Sequence, residues 1–115
     1  MKILLVDDNK SITKVISQYL TVQGHQCNVS NDGKTGLSLI QSEKFDVIVL
    51  DLAMPGFTGF DILDSLEAKG LLKSLKIIIL TAAELSENQI ENMIKRGVKK
   101  VLKKPIPLDI LEKNL

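Results

Sequence analysis

"DVIVLDLAMPGFTGFDIL", Asp46 to Leu63, holds a strand, a turn and the start of a helix in one unbroken stretch. Val47–Leu50 is a continuous apolar run, short and without polar alternation, as in a strand covered on both faces. It stops abruptly at Asp51. A Met54-Pro55-Gly56 turn follows, and a second glycine, Gly59, precedes a helical period of Phe60, Ile62, Leu63 and Leu66 that ends near Gly70. This is one βα unit, and a doubly covered strand belongs in a parallel sheet with helices on each side.

The same unit recurs in both directions. Buried-strand runs lie at Ile3–Val6 and Ile77–Leu80, with weaker β-rich stretches near Cys27–Ser30 and Val98–Leu102. Between them, Ile12, Val15, Ile16, Tyr19 and Leu20 keep helical spacing up to a stop at Gly24. Leu37, Leu39 and Ile40 mark a helix opened by the turn "NDGK". Ile90, Met93 and Ile94 mark another, with Ser86 as N-cap and Gly97 as its stop. "PLDILEKNL" makes a short fifth helix. Five successive βα units predict an α/β fold with a doubly wound, five-stranded parallel sheet.

Size and composition narrow the function classes. The 115 residues, without repeats, linkers or low-complexity tracts, fit one domain spanning 1–115. Net charge is +1, so no global field points to nucleic acid or membrane. The apolar runs are too short to span a bilayer, and the N-terminus enters a strand without a secretion signal, so a cytoplasmic location is expected. Cys27 and His25 are the only residues of their types. That excludes disulfides and multi-ligand zinc sites, and a His-dependent triad would need His25 as its base. Both lie between a helix end and a strand and read as structural.

Right-handed crossovers place every strand's C-terminal end on one edge, where ligands of such folds bind. The first strand ends in Asp7 and Asp8, the third in Asp51, the fourth in Thr81, and the fifth in Lys104 followed by Pro105. Taken singly, each has an ordinary reading as a turn residue or a solvated lysine. Together they are complementary. Two carboxylates at ~4 Å and an effective dielectric of ~20 repel by about 4 kcal/mol, so the acidic cluster needs a cation. Its all-oxygen donors suit Mg²⁺, with Asp8 and Asp51 as direct ligands, the Ala53 backbone carbonyl beside them, and Asp7 acting through water. A carboxylate also serves as a nucleophile, forming an aspartyl-phosphate. Phosphorylation replaces one negative charge by about two, which calls on both the metal and Lys104. The Thr81 hydroxyl is placed to donate to a phosphoryl oxygen, and positioning with charge neutralisation is most of what phosphoryl transfer requires.

With "LLVDDN", "DVIVLDLAMPGFTGFDIL", "IIILTA" and "KKP" in this order, the whole chain resembles the receiver domain of two-component response regulators, of the chemotaxis-regulator type. The resemblance implies a (βα)5 flavodoxin-like fold with strand order 2-1-3-4-5. It assigns Asp51 as phosphoacceptor, Asp7 and Asp8 as the acidic metal pair, Lys104 as phosphoryl partner and Thr81 as switch hydroxyl. It also implies a cis Lys104–Pro105 bond. The phosphoryl donor would be a phosphohistidine on a sensor histidine kinase or histidine phosphotransfer protein. The recipient of the signal would be a downstream protein target, an output domain outside this chain, or a second copy in a phosphorylation-dependent dimer. Beyond self-phosphorylation and slow self-dephosphorylation no enzyme activity is implied, and no membrane or direct nucleic-acid contact.

Three features depart from the family pattern. Val101 stands where an aromatic switch residue is usual, the turn before the fifth strand reads "GVKKV", and the fifth helix ends early, at Leu115. A short, β-branched valine removes one packing difference between two states. A smaller change is therefore expected on the face of the fourth helix, fifth strand and fifth helix, with output carried more by the loop after Thr81, by the basic patch, or by local changes around the first helix. Three other readings compete. Aspartyl-phosphate phosphatases of the haloacid dehalogenase type carry D-x-D and a cap domain, whereas here the pair is DD and the nucleophile lies on the third strand. A pseudo-receiver that only docks partners would lose an acid, the threonine or the lysine, and none is lost. A nucleic-acid surface could draw on Lys95, Arg96, Lys99, Lys100, Lys103 and Lys104, but stacking aromatics are scarce and a solvated helix end explains these cations.

Overall fold

A computed structural model describes residues 1–115. Its elements, in chain order, are β1 (Lys2–Val6), α1 (Lys10–Val22), β2 (Gln26–Ser30), α2 (Gly33–Ser42), β3 (Val47–Leu50) and α3 (Gly59–Ala68). A 3₁₀ turn at Leu72–Ser74 then leads to β4 (Ile77–Thr81), α4 (Glu87–Arg96), β5 (Lys100–Lys103) and α5 (Leu108–Lys113). The five strands pair in parallel in the order β2-β1-β3-β4-β5. The strand order reverses between β1 and β3, the point where such sheets open a binding crevice.

The two-residue period of the central strands divides the core. Leu4, Val6, Ile48, Leu50, Ile77 and Ile79 face one side, packing with Ile40 of α2, Ile62, Leu63 and Leu66 of α3, and Met93 of α4. Their alternates Ile3, Leu5, Val47, Val49, Ile78 and Leu80 face the other, against Ile16 and Leu20 of α1 and Leu111 of α5. Because both faces are covered, β1, β3 and β4 read as unbroken apolar runs.

Four helices begin with a side-chain cap. Asn9 accepts from the Ile12 N–H at 3.1 Å and Asp32 from the Thr35 N–H at 2.8 Å. Thr58 with Asp61, and Ser86 with Gln89, form reciprocal capping boxes. Gly59 is needed at the start of α3 for space. A Cβ there would lie 2.3 Å from the Asp51 carbonyl oxygen, so glycine lets the helix start directly against the strand end it follows.

The two weaker strands start elsewhere than the sequence reading placed them. β5 begins at Lys100, not Val98. Gly97, at φ 131°, ends α4, and the Val98 N–H turns back to the Met93 carbonyl at 3.0 Å. Val98 is thus a buried closure of the helix end, and its apolar character mimicked a strand. β2 gains Gln26, whose N–H donates to the Met1 carbonyl at 2.9 Å. His25 has a structural contact, its Nε2 lying 2.9 Å from Glu112 Oε2 on α5. The Lys104–Pro105 bond is cis. No helix is long and apolar enough to cross a membrane.

Candidate functional site

Past their formal ends, three strands keep bonding to their neighbours, and that places the site residues. The Asp7 N–H donates to the Ser30 carbonyl at 3.1 Å, the Asp51 N–H to Val6 at 2.9 Å, and the Lys104 N–H to Thr81 at 2.9 Å. The sheet therefore fixes these backbones at its C-terminal edge. Each acceptor side chain is then oriented by the N–H two residues on. Asp7 Oδ1 accepts from Asn9 at 2.9 Å, Asp51 Oδ1 from Ala53 at 3.3 Å, and Thr81 Oγ1 from Ala83 at 3.2 Å.

The second oxygen of both buried aspartates turns to one cation. Lys104 Nζ donates to Asp7 Oδ2 at 2.6 Å and lies 3.4 Å from Asp51 Oδ2. Carboxylate oxygens of Asp7, Asp8 and Asp51 come within 4.8 Å of one another. Asp7 and Asp51 are buried, whereas Asp8 is exposed at the mouth. Burial holds the Asp7 carboxyl above the usual carboxylate range, against the opposing pull of Lys104 and the Asn9 N–H. Burial alone would lower the Lys104 ammonium, but its hydrogen bond to Asp7 and the charges of Asp7 and Asp51 reverse this and hold it above its ordinary value. The Lys104 shift reflects the two carboxylates gathered around one ammonium, and with Asp8 beside them the three acids outnumber that single cation. An all-oxygen donor set with that deficit fits a hard divalent cation.

The structure thus brings together Asp7, Asp8, Asp51 and Lys104. Ala53 follows in the exposed turn after Asp51. Thr81 stands at the same edge, joined to Lys104 through the backbone, but its side chain is only 1% exposed and bonds locally to Ala83. Sequence reasoning missed two supports. Asn31 Nδ2 donates to the Asp7 carbonyl at 2.8 Å and to Thr13 Oγ1 at 3.1 Å, bracing the acidic turn from β2 and α1. The only signals were an asparagine in a turn and a threonine on a helix's buried face. The six cations considered as a nucleic-acid surface disperse. Lys104 points into the acidic site, Arg96 pairs with Asp64 and Glu67, and Lys103 pairs with Glu84.

Comparison with known proteins agrees with this geometry. Residues 3–115 match the profile of the response regulator receiver domain. The chain is 34% identical to the chemotaxis protein CheY of Pseudomonas aeruginosa, over all of this chain and 93% of that protein. The Francisella response regulator 1452 receiver domain superposes with a TM-score of 0.87 at 34% identity, covering 98% of this chain and 91% of that one. The response regulator TrrA of Thermotoga maritima, solved in complex with Mg²⁺ and BeF, superposes with a TM-score of 0.81 at 26% identity over 98% and 94% of the two chains. By sequence profile, fold and strand order, this chain belongs to the receiver domain family of two-component response regulators, in its chemotaxis-regulator-like form.

Proposed function

We propose that this chain is a phosphorelay receiver that accepts a phosphoryl group on Asp51 in a Mg²⁺-dependent reaction and thereby changes its partner interactions. Receiver domains as a family bind Mg²⁺ in an acidic pocket, take phosphoryl groups from sensor histidine kinases, and act on downstream targets as signal transducers. The observation that carries the reading to this chain is the single lysine shared by two buried aspartates, with a third carboxylate beside them.

In the proposed transfer a carboxylate oxygen of Asp51 attacks the phosphorus of a donor phosphohistidine. The P–N bond breaks, its electron pair goes to the leaving imidazole nitrogen, and a mixed anhydride remains on Asp51. Lys104 neutralises charge on the incoming group, and Thr81 donates its hydroxyl to a phosphoryl oxygen. Asp8, Asp51 and the Ala53 carbonyl would hold Mg²⁺, with Asp7 acting through water. When bound, the ion supplies the remaining charge neutralisation. Hydrolysis reverses the state: water takes the phosphoryl group and releases inorganic phosphate, so the chain regenerates itself without an external substrate.

The donor must seat close to Asp51. A groove of about 380 Å³ lies beside Lys104, lined mainly by Ile12, Val15 and Ile16 of α1 and by Pro105, Ile106 and Leu108. Val15 is 53% exposed there, although it sits on a helix of the apolar core. We assign this groove to the sensor kinase or histidine phosphotransfer protein, in a cytoplasmic setting. The test is intact mass after incubation with acetyl phosphate, with and without chelator. A single phosphoryl adduct should form only with Mg²⁺ and disappear in Asp51→Asn. An adduct that persists in Asp51→Asn would rule out this assignment.

A further inference from the structure

The two edges of the sheet are protected differently. β5 carries an exposed lysine at each end, Lys100 and Lys103, and Lys103 pairs with Glu84. Charges on an edge discourage a further strand, which would strip them of water. β2, at the opposite edge, has no such protection. Gln26–Ser30 reads QCNVS, with no charge, no proline and no residue at positive φ.

The backbone of β2 also has bonds to give. The Gln26 N–H donates to the Met1 carbonyl and the Ser30 carbonyl accepts from the Asp7 N–H, in one register, so Gln26, Asn28 and Ser30 turn their backbone groups toward β1. The alternate residues, Cys27 and Val29, turn theirs outward, where neither N–H nor carbonyl has a backbone partner. Val29 is 38% exposed, an apolar β-branched side chain on the same sheet face as Cys27.

We propose that β2 is a dimer edge, which takes the β2 of a second copy in antiparallel pairing about a two-fold axis at Asn28. In that register Cys27 stands opposite Val29 of the second copy, and Val29 opposite its Cys27. Each such pair exchanges both N–H···O=C bonds, so the outward groups of the strand are satisfied. A two-fold interface must be self-complementary, and the charges here allow it. No residue from Gln26 to Asn31 is charged, and the first acid, Asp32, faces Gly24 of the second copy and not its own image. Val29 packs against Cys27 across the seam, which covers its exposed methyls. The two copies share one continuous sheet whose acidic edges point in opposite directions, so both sites stay open. An interface one short strand long is small, which makes the dimer weak and concentration-dependent. It needs no phosphoryl group and does not rest on the phosphoacceptor reading.

Sedimentation equilibrium of the unphosphorylated full chain should show its average mass rising from monomer toward dimer with concentration. Val29→Pro removes only an outward N–H, which an edge strand tolerates, and Val29→Lys puts a charge on the edge. Both should keep the parent's circular dichroism and lose the rise in mass; should the proline variant unfold, the lysine variant decides. Cross-linking tests the register. Directly opposed residues whose backbone groups turn inward lie about 4.5 Å apart at Cα, within reach of a disulfide. Asn28→Cys in a Cys27→Ser background should therefore form a covalent dimer when oxidised with copper phenanthroline. Lys100→Cys in the same background, on the other edge, should stay monomeric. A parent chain that is monomeric at every concentration overturns the proposal. So does a folded Val29→Lys chain that still dimerises, or cross-linking through Lys100→Cys in place of Asn28→Cys.

Discussion

Lys104 occupies the place that a bound cation would compete for. Its ammonium sits between Asp7 and Asp51, the two carboxylates that are least able to reach water. Removing it leaves both without a counter-charge, so Lys104→Ala should bind Mg²⁺ more tightly than the parent chain, by roughly tenfold if about 1.4 kcal/mol of competition is relieved. Calorimetric titration with Mg²⁺ measures this, and weaker binding by the variant would show that Lys104 does not compete for these oxygens. The same variant should respond less to beryllofluoride, because it lacks the positive charge facing the phosphoryl group. Thr81 calls for a different expectation. Its strand-end position suggested a side chain facing the crevice, yet it is buried. Thr81→Ala loses the acceptor for the Ala83 N–H and should cost on the order of 1 kcal/mol in urea unfolding. A loss several times larger would mean that the hydroxyl is part of the core's own support. The acids and the lysine were legible because each directly follows an apolar run. The depth of Thr81, and the Asn31–Thr13 brace, depend on contacts between separate elements that no local pattern records.

The strand-to-helix connections do the positioning, and the one after β3 is the most constrained. Gly59 sits against the Asp51 carbonyl and the Leu52 Cα, where an added Cβ would meet them at 2.3 Å and 2.7 Å. These are backbone atoms, which cannot rotate aside as a side chain could. Gly59→Ala should therefore destabilise the chain by about 1–3 kcal/mol through overpacking, and should slow phosphorylation of Asp51 as the turn shifts. Urea unfolding alongside the acetyl phosphate mass assay checks both. A stable variant with unimpaired phosphorylation would show that the turn has slack. Gly36 is crowded by a side chain instead: its Cβ would meet the Cγ atoms of Val6 at 2.7 Å and 3.2 Å, and that buried, β-branched valine has little room to turn. The sequence marked Gly59 only as a second glycine after a turn, and the crowding that demands it appears once α3 is laid against the strand. The misplaced start of β5 has a similar cause. An apolar valine after a helix-stopping glycine reads equally as a strand start or as a helix closure, and only the Met93 contact separates the two.

At the scale of the whole molecule, the acidic edge lies at the strand ends where the sheet's order reverses, so a ligand bound there touches residues delivered by several strands at once. β1 and β3 supply the acids, and β5 delivers the lysine through its bond to β4. This convergence was readable from five alternating units and the right-handed crossover rule alone, before any side chain was placed. The energetic consequence follows from linkage. A ligand that binds only the folded chain stabilises it by about 2.7 kcal/mol at a hundred times its Kd. At roughly 4–8 °C per kcal/mol for a domain near this size, Mg²⁺ alone should raise Tm by about 10–20 °C. Asp8 separates this effect from ordinary folding energetics. It is exposed, and it stands beside two other carboxylates. Asp8→Asn should therefore leave the metal-free Tm unchanged or slightly higher, because a repulsion is removed, while most of the Mg²⁺-induced rise disappears. Calorimetric scans of both chains, with Mg²⁺ and with chelator, supply the four values needed. A variant with a lower Tm in chelator would make Asp8 a structural residue. One that kept the full Mg²⁺ rise would move the ion's direct ligands to Asp7 and Asp51.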